Sequence, residues 1–197
     1  MSSSENPEFE PLTRRQILII MGVTAIILLM IARIWQYFGS IKILEVQFTL
    51  QAVWLSLALA TGISLGSGLM YRIWPAYRHS ADTYLELVIK PLVWPDLIWL
   101  GLLPGLSEEL LFRGVMLPAL GLDLTAVIVS SCLFGVLHFS GSQQWPYVFW
   151  ATVVGFVLGY SAMVTGNLLV PTLAHIVTNL VASYLWKARQ SFNTPSV

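Results

Sequence analysis

Between Gln16 and Phe38 the chain runs for 23 residues with Arg33 as its only charge. A helix needs about 20 residues, at ~1.5 Å each, to cross the ~30 Å hydrocarbon core of a bilayer. With no water at that depth to satisfy backbone N–H and C=O groups, a lone apolar run of this length crosses as a helix. Five more apolar stretches follow: Phe48 to Tyr71, Pro95 to Leu120 with an interruption at Pro104-Gly105, a short one from Leu124 to Phe139, Pro146 to Val164 with proline at a helix start, and Leu168 to Trp186 after the turn Thr165-Gly166-Asn167. The expected fold is an all-α membrane protein, a bundle of about six transmembrane helices. Arg72 to Trp94 mixes apolar residues with Arg78, His79, Asp82, Glu86 and Lys90, a pattern that predicts an interfacial amphipathic helix. Composition agrees, with 56% hydrophobic and 10% charged residues and a mean hydropathy of +0.75.

Ten basic and ten acidic residues cancel, which removes the basis for nucleic-acid binding through a basic surface. The one cysteine, Cys132, lies in an apolar helix and reads as a small buried hydrophobe. Residues 1–15 read as a disordered lead-in. The run after them is long for a secretory leader and is followed by no small-residue cleavage pattern, so it reads as a retained anchor. An even number of spans places both termini on one side. Arg14, Arg15, Arg72, Arg78, Lys90, Lys187 and Arg189 share that side, against Lys42 and Arg33 on the other, so the positive-inside rule predicts cytosolic termini in a plasma or organellar membrane. Trp35, Trp74, Trp94, Trp145 and Trp186 fall near span ends, as an interfacial aromatic belt requires. The spacings Gly62-x-x-x-Gly66, Gly101-x-x-x-Gly105 and Gly155-x-x-x-Gly159 predict close helix approach within one bundle.

Glu108 and Glu109 stand in the third stretch, Glu108 roughly 18 Å along a helix that starts near Asp96. Charge at that depth costs several kcal/mol and marks a functional site before it marks structure. Pro104 has no N–H and frees the Leu100 carbonyl one turn earlier, which predicts a helix kinked or open beside the glutamates. Arg113 is four residues past Glu109, on the same face and in the favourable orientation. That pairing leaves Glu108, about 100° around the helix, with a separate task. Of three histidines, His79 lies in the charged connection, while His138 and His175 are intramembrane. Phe134 shares a helix face with His138, and His175 with Asn179.

Glu-Glu-x-x-x-Arg, then Phe-x-x-x-His, then His-x-x-x-Asn, in this order on successive membrane helices, resembles the CPBP family of intramembrane proteases. That family includes the type II CAAX prenyl endopeptidases and bacterial Abi or bacteriocin-immunity proteins. The resemblance implies a catalytic core over residues 92–186, preceded by two helices and the interfacial connection (16–91) and followed by a cytosolic tail (187–197). It implies a polar cavity within the bilayer and hydrolysis of a peptide bond in a membrane-associated protein or lipidated peptide. Glu108 would be the general base and His138 would hold the same water. His175 and Asn179 would donate hydrogen bonds to the oxyanion, Glu109 would orient His138 or hold Arg113, and Arg113 would balance Glu109 or meet a substrate carboxylate. The family is often labelled metalloprotease, and Glu108, His138 and His175 are the three ligands a zinc ion would need. The chain has no His-Glu-x-x-His helix, and Asn179 is a poor zinc ligand, so a metal-free mechanism is favoured and zinc stays open. A catalytically silent scaffold, immunity or stabilising factor would keep the same fold. A proton-coupled transporter would show interrupted helices in both halves, and here only the third stretch is interrupted.

Overall fold

Thr13 starts the first helix. Its hydroxyl accepts the Gln16 N–H at 3.3 Å while its own N–H donates to the Gln16 side chain at 2.8 Å, a reciprocal cap. Helix α1 (Arg14–Gly39) therefore begins ahead of its apolar run. The computed structural model describes residues 12–193, so most of the expected lead-in, residues 1–11, lies outside the described residues.

Helix α2 (Leu50–Ile73) is capped by Thr49, and α3 (Pro75–Ile89) opens on its proline. A short 3₁₀ turn, Trp94–Asp96, leads into α4 (Leu97–Glu109), which continues as a π-helical stretch over Leu110–Met116 and ends in α5 (Leu117–Ala119). Helix α6 (Leu124–Leu137) starts where the Asp123 carboxylate accepts the Ala126 N–H at 2.8 Å. Helix α7 (Trp145–Thr165) stops at Gly166, whose φ of +61° suits glycine. Helix α8 (Leu169–Asn193) continues past Trp186, so the first part of the expected tail is helical, while residues 194–197 lie outside the described residues.

All six expected apolar stretches are helical, and the all-α membrane bundle is the architecture found. On length and composition four helices qualify as spans, α1, α2, α7 and α8, and a fifth counts if α3 and Trp94–Ala119, bent by 108°, form one broken span. The count falls short of six for two reasons. Helix α6 has 14 residues, about 21 Å of rise against ~30 Å of hydrocarbon. The third stretch is continuous helix from Trp94 to Ala119 but carries Asp96, Glu108, Glu109 and Arg113, too much charge for an ordinary apolar span. The 108° bend also turns α3 away from the line of α4, as an interfacial helix would lie. On the outer face of α1, Ile19, Ile20, Val23, Ile26 and Ile27 are 49 to 59% exposed, an apolar surface suited to lipid.

Glycines set how closely α4 meets α8. A Cβ on Gly101 would lie 2.6 Å from the Leu180 side chain and 3.0 Å from the Ile176 carbonyl oxygen. One on Gly105 would run into the Ile176 side chain and sit 3.2 Å from its backbone nitrogen. Gly155 is 3.0 Å, by the same construction, from Phe134. These two spacings pack helices within one bundle, but Gly62 faces open space and its spacing brings no close approach there. Gly105→Ala is expected to cost about 1–3 kcal/mol through overpacking. Gly62→Ala should be neutral or stabilising by up to about 1 kcal/mol, because alanine is the better helix former; thermal unfolding in detergent compares the two.

Three ends meet at one end of the bundle. The Arg14 guanidinium makes two bonds to the Asp96 carboxylate, at 2.7 and 2.8 Å, tying the start of α1 to the α3–α4 junction. Lys187 of α8 donates to the carbonyls of Ile89 and Leu92, satisfying acceptors left over where α3 ends. At the opposite end of α1 the connection 40–49 is stitched down, with Leu44 N–H donating to the Gly114 carbonyl at 3.1 Å and Gln47 exchanging bonds with the Asn167 side chain at 3.0 and 2.8 Å. Non-helical backbone beside lipid needs such protein partners.

Candidate active site

The close approach of α4 and α8 decides which polar groups meet. With Ile176 and Leu180 seated on Gly105 and Gly101, the adjacent face of α8 carries His175 and Asn179 toward α4. The Asn179 amide donates to the Leu100 carbonyl at 3.3 Å. That is the acceptor Pro104 leaves free, so the short α8 side chain completes a helix the proline would weaken. Helix α4 consequently runs unbroken through Pro104. The irregularity expected beside the glutamates falls after them, in the π-helical stretch that begins at Leu110.

Glu109 is fully buried and committed. Its Oε1 accepts from Arg113 Nη1 at 2.7 Å and lies 2.8 Å from His175 Nδ1. Arg113, also fully buried, uses Nη2 on the Gly155 carbonyl at 2.7 Å. Its guanidinium carbon stands 4.4 Å from the centre of the Phe134 ring, a cation–π contact in a desolvated place. Of the two tasks expected for Glu109, the structure has it holding Arg113, and the histidine it meets is His175, not His138. Arg113 has no exposed surface with which to meet a substrate carboxylate.

His138 ends α6 and is held by its own helix, Nδ1 lying 2.9 Å from the Phe134 carbonyl oxygen. A carbonyl only accepts, so Nδ1 carries a proton, and in the neutral ring the lone pair is on Nε2. Phe134 is the hub: its carbonyl holds His138, and its ring centre lies 4.8 Å from the His138 ring and 5.8 Å from the His175 ring.

Glu108 is the glutamate left uncommitted. It is 8% exposed and its Oε2 has no partner in the protein. With His138, Asn179, Tyr84 and Tyr147 it lines a cavity of about 120 Å³, room for several waters at ~10–15 Å³ each. His175 lines an adjoining cavity of about 130 Å³, and Leu85, His138, Tyr147, Asn179 and Ala182 border both. A third space, about 190 Å³ and largely apolar, reaches Glu108 from between α1, α3 and α4. Sequence reasoning missed the tyrosines: Tyr84 stands in the charged connection and Tyr147 directly after Pro146, and neither belongs to a spaced motif. Glu108, His138 and His175 do not converge as zinc ligands. Among the described residues no group of three or more His, Cys, Asp or Glu side chains is placed to hold a metal ion.

Fold and site together define an integral membrane protein whose helices enclose a carboxylate, an imidazole and a carboxamide around one small cavity. Residues 90–181, a little under half of the chain, match the family described as "Type II CAAX prenyl endopeptidase Rce1-like". All seven residues singled out from the sequence lie within the matched segment, whereas α1, α2 and α3 lie outside it. Among curated proteins the chain is similar to the uncharacterized protein YpbD of Bacillus subtilis (strain 168), 28% identical over 132 residues, 67% of each chain. It is also similar to the uncharacterized protein YyaK of the same organism, 34% identical over 82 residues, which is 38% of this chain and 27% of that one. No solved structure matches.

Proposed function

We propose that this protein is an intramembrane endopeptidase that hydrolyses a peptide bond in a membrane-associated protein or lipidated peptide. The observation that carries this reading is that Glu108, His138 and Asn179, from three helices, line one cavity, and that Glu108 alone of the two glutamates is uncommitted. Glu108 takes a proton from a water that His138 Nε2 also holds, and the water oxygen bonds to the scissile carbonyl carbon. Asn179 has a second amide N–H, beyond the one used on Leu100, to offer the oxyanion. The proton returns through Glu108 or His138 to the leaving nitrogen as the C–N bond breaks. His175, with Nδ1 on Glu109, donates from Nε2 only as an imidazolium, so its part is to support the wall behind the site. No step is routed through a metal, because the candidate ligands do not gather.

Both termini are placed on the cytosolic face in this proposal. Arg14, Asp96 and Lys187 bring the two ends of the described chain to one end of the bundle, where most basic residues lie. The test is a pair of variants, Glu108→Ala and His138→Ala, assayed for cleavage of candidate membrane proteins in liposomes. Each is expected to lose about 10²–10⁴ in rate while remaining folded, and wild-type cleavage is expected to survive a strong zinc chelator. Cleavage that persists in both variants would leave the scaffold or immunity reading; cleavage abolished by the chelator and restored by zinc would overturn the metal-free step.

A further inference from the structure

Helices α2, α3 and α8 border a space of about 140 Å³ that takes no part in the proposed hydrolysis. Ser67, Gly68 and Tyr71 of α2 face Leu185, Trp186 and Arg189 of α8 across it. Its outer flank is apolar and uncovered: Leu65, Leu69 and Leu185 are 55 to 70% exposed. A Cβ added to Gly68 would meet nothing within 4 Å, so no neighbouring helix covers α2 at that point.

One end of the space carries a cation without an anion. Arg189 is exposed, and among the described residues no carboxylate pairs with it. Its guanidinium carbon lies 5.7 Å from the centre of the Tyr71 ring. The acid beside that ring, Asp82, is already engaged by the Tyr71 hydroxyl, which donates to it at 2.8 Å. Arg78 comes within electrostatic reach of the same hydroxyl, so two cations and one engaged carboxylate surround Tyr71. The level is that of the membrane surface. Tyr71 stands two residues before the end of α2, and Arg189 two residues past Lys187, at the end of the bundle where Arg14, Asp96 and Lys187 make their bonds. Trp74 and Trp186 belong to the same level, where aromatic side chains meet lipid headgroups.

We propose that this space is a binding site for an anionic phospholipid, with the phosphate on Arg189 and an acyl chain lying between α2 and α8 over Gly68. A free cation at headgroup level above an uncovered apolar wall matches the two parts of such a lipid. Helix α2 precedes the matched segment 90–181 and Arg189 follows it, so the site is built from parts of this chain outside the family match. Glu108 borders neither this space nor the adjoining cavity that His175 lines. The test therefore needs no turnover and stands or falls apart from the hydrolase reading.

Full-length protein in a nonionic detergent is titrated with phosphatidylglycerol, with phosphatidylcholine of the same acyl chains, or with glycerol phosphate, and thermal unfolding is followed. A ligand that binds only the folded protein raises Tm with its concentration. Phosphatidylglycerol is expected to do so saturably, and the other two are not. Arg189→Gln is expected to move half-saturation about fivefold higher, the scale of one basic residue at an anionic surface. Arg72→Gln removes an exposed cation near the same end that does not line the space, and should leave half-saturation within about twofold. A phosphatidylcholine or glycerol phosphate response equal to that of phosphatidylglycerol, or equal displacement by the two arginine variants, overturns the proposal. Gly68→Leu sets a side chain at the edge of the space where nothing stands in its way. It is expected to keep the lipid-free Tm and weaken phosphatidylglycerol binding by about tenfold or more, the scale of a steric change in an apolar pocket; an unchanged titration overturns the acyl-chain path.

Discussion

Replacing Arg113 by alanine is expected to destabilise the folded protein by about 3–5 kcal/mol, the scale of a buried ion pair broken on one side. Arg113 and Glu109 are both without exposed side-chain surface and are joined at 2.7 Å. Removing the guanidinium leaves a carboxylate buried with only His175 beside it, strips the Gly155 carbonyl of its donor and takes the cation from the Phe134 face. Arg113→Lys should restore little, because a single ammonium does not reproduce the fork that reaches Glu109 and Gly155 together. The double variant Glu109→Gln with Arg113→Met should cost less than Arg113→Ala alone, since no unpaired charge remains. Thermal unfolding of the purified proteins in one detergent gives the order. Arg113→Ala as stable as wild type would mean the pair does not hold α4 to α7.

Neighbouring glutamates are expected to answer the same mutation in opposite ways. Glu108→Gln should lower turnover by about 10²–10⁴, the range for loss of a general base, and leave the melting temperature unchanged or raised. The reason is that Glu108 Oε2 is buried with no protein partner, so neutralising the side chain removes a buried charge and breaks no bond. Glu109→Gln should lower the melting temperature, because Oε1 serves both Arg113 and His175. Its effect on turnover should follow the loss of folded protein. Measuring both quantities on both variants separates catalysis from structure at two adjacent positions of one helix.

Local features were legible in the sequence because they depend on a few residues of one segment. Apolar runs gave the helices, and the four-residue spacing paired Glu109 with Arg113. Pro104 marked Leu100 as a carbonyl in need of a donor, but only the docking of α8 identifies Asn179 as that donor. The partner of Glu109 was hidden for the same reason: His138 and His175 are equally plausible until the rotation of α8 against α4 is known, and Gly101 and Gly105 set that rotation through contacts with Leu180 and Ile176. The π-helical stretch over Leu110–Met116 has no proline or glycine pair at its start to announce it. Gly62 misled because a four-residue glycine spacing is common in apolar helices and does not show which face meets a neighbour. Tyr84 was invisible as a site residue because a single tyrosine in a charged connection has no period and no motif, and only the bend between α3 and α4 lays it over the cavity.

The most direct test of the central claim, that the Glu108 cavity cuts a peptide bond, is a trap. Affinity-tagged Glu108→Gln and wild-type protein are recovered from native membranes, and the co-purifying proteins are identified by mass spectrometry. The account predicts that Glu108→Gln retains an intact membrane-associated protein, and that adding purified wild type cuts it at one peptide bond while Glu108→Gln does not. Identical partners recovered intact with both forms, and left uncut by wild type, would contradict it.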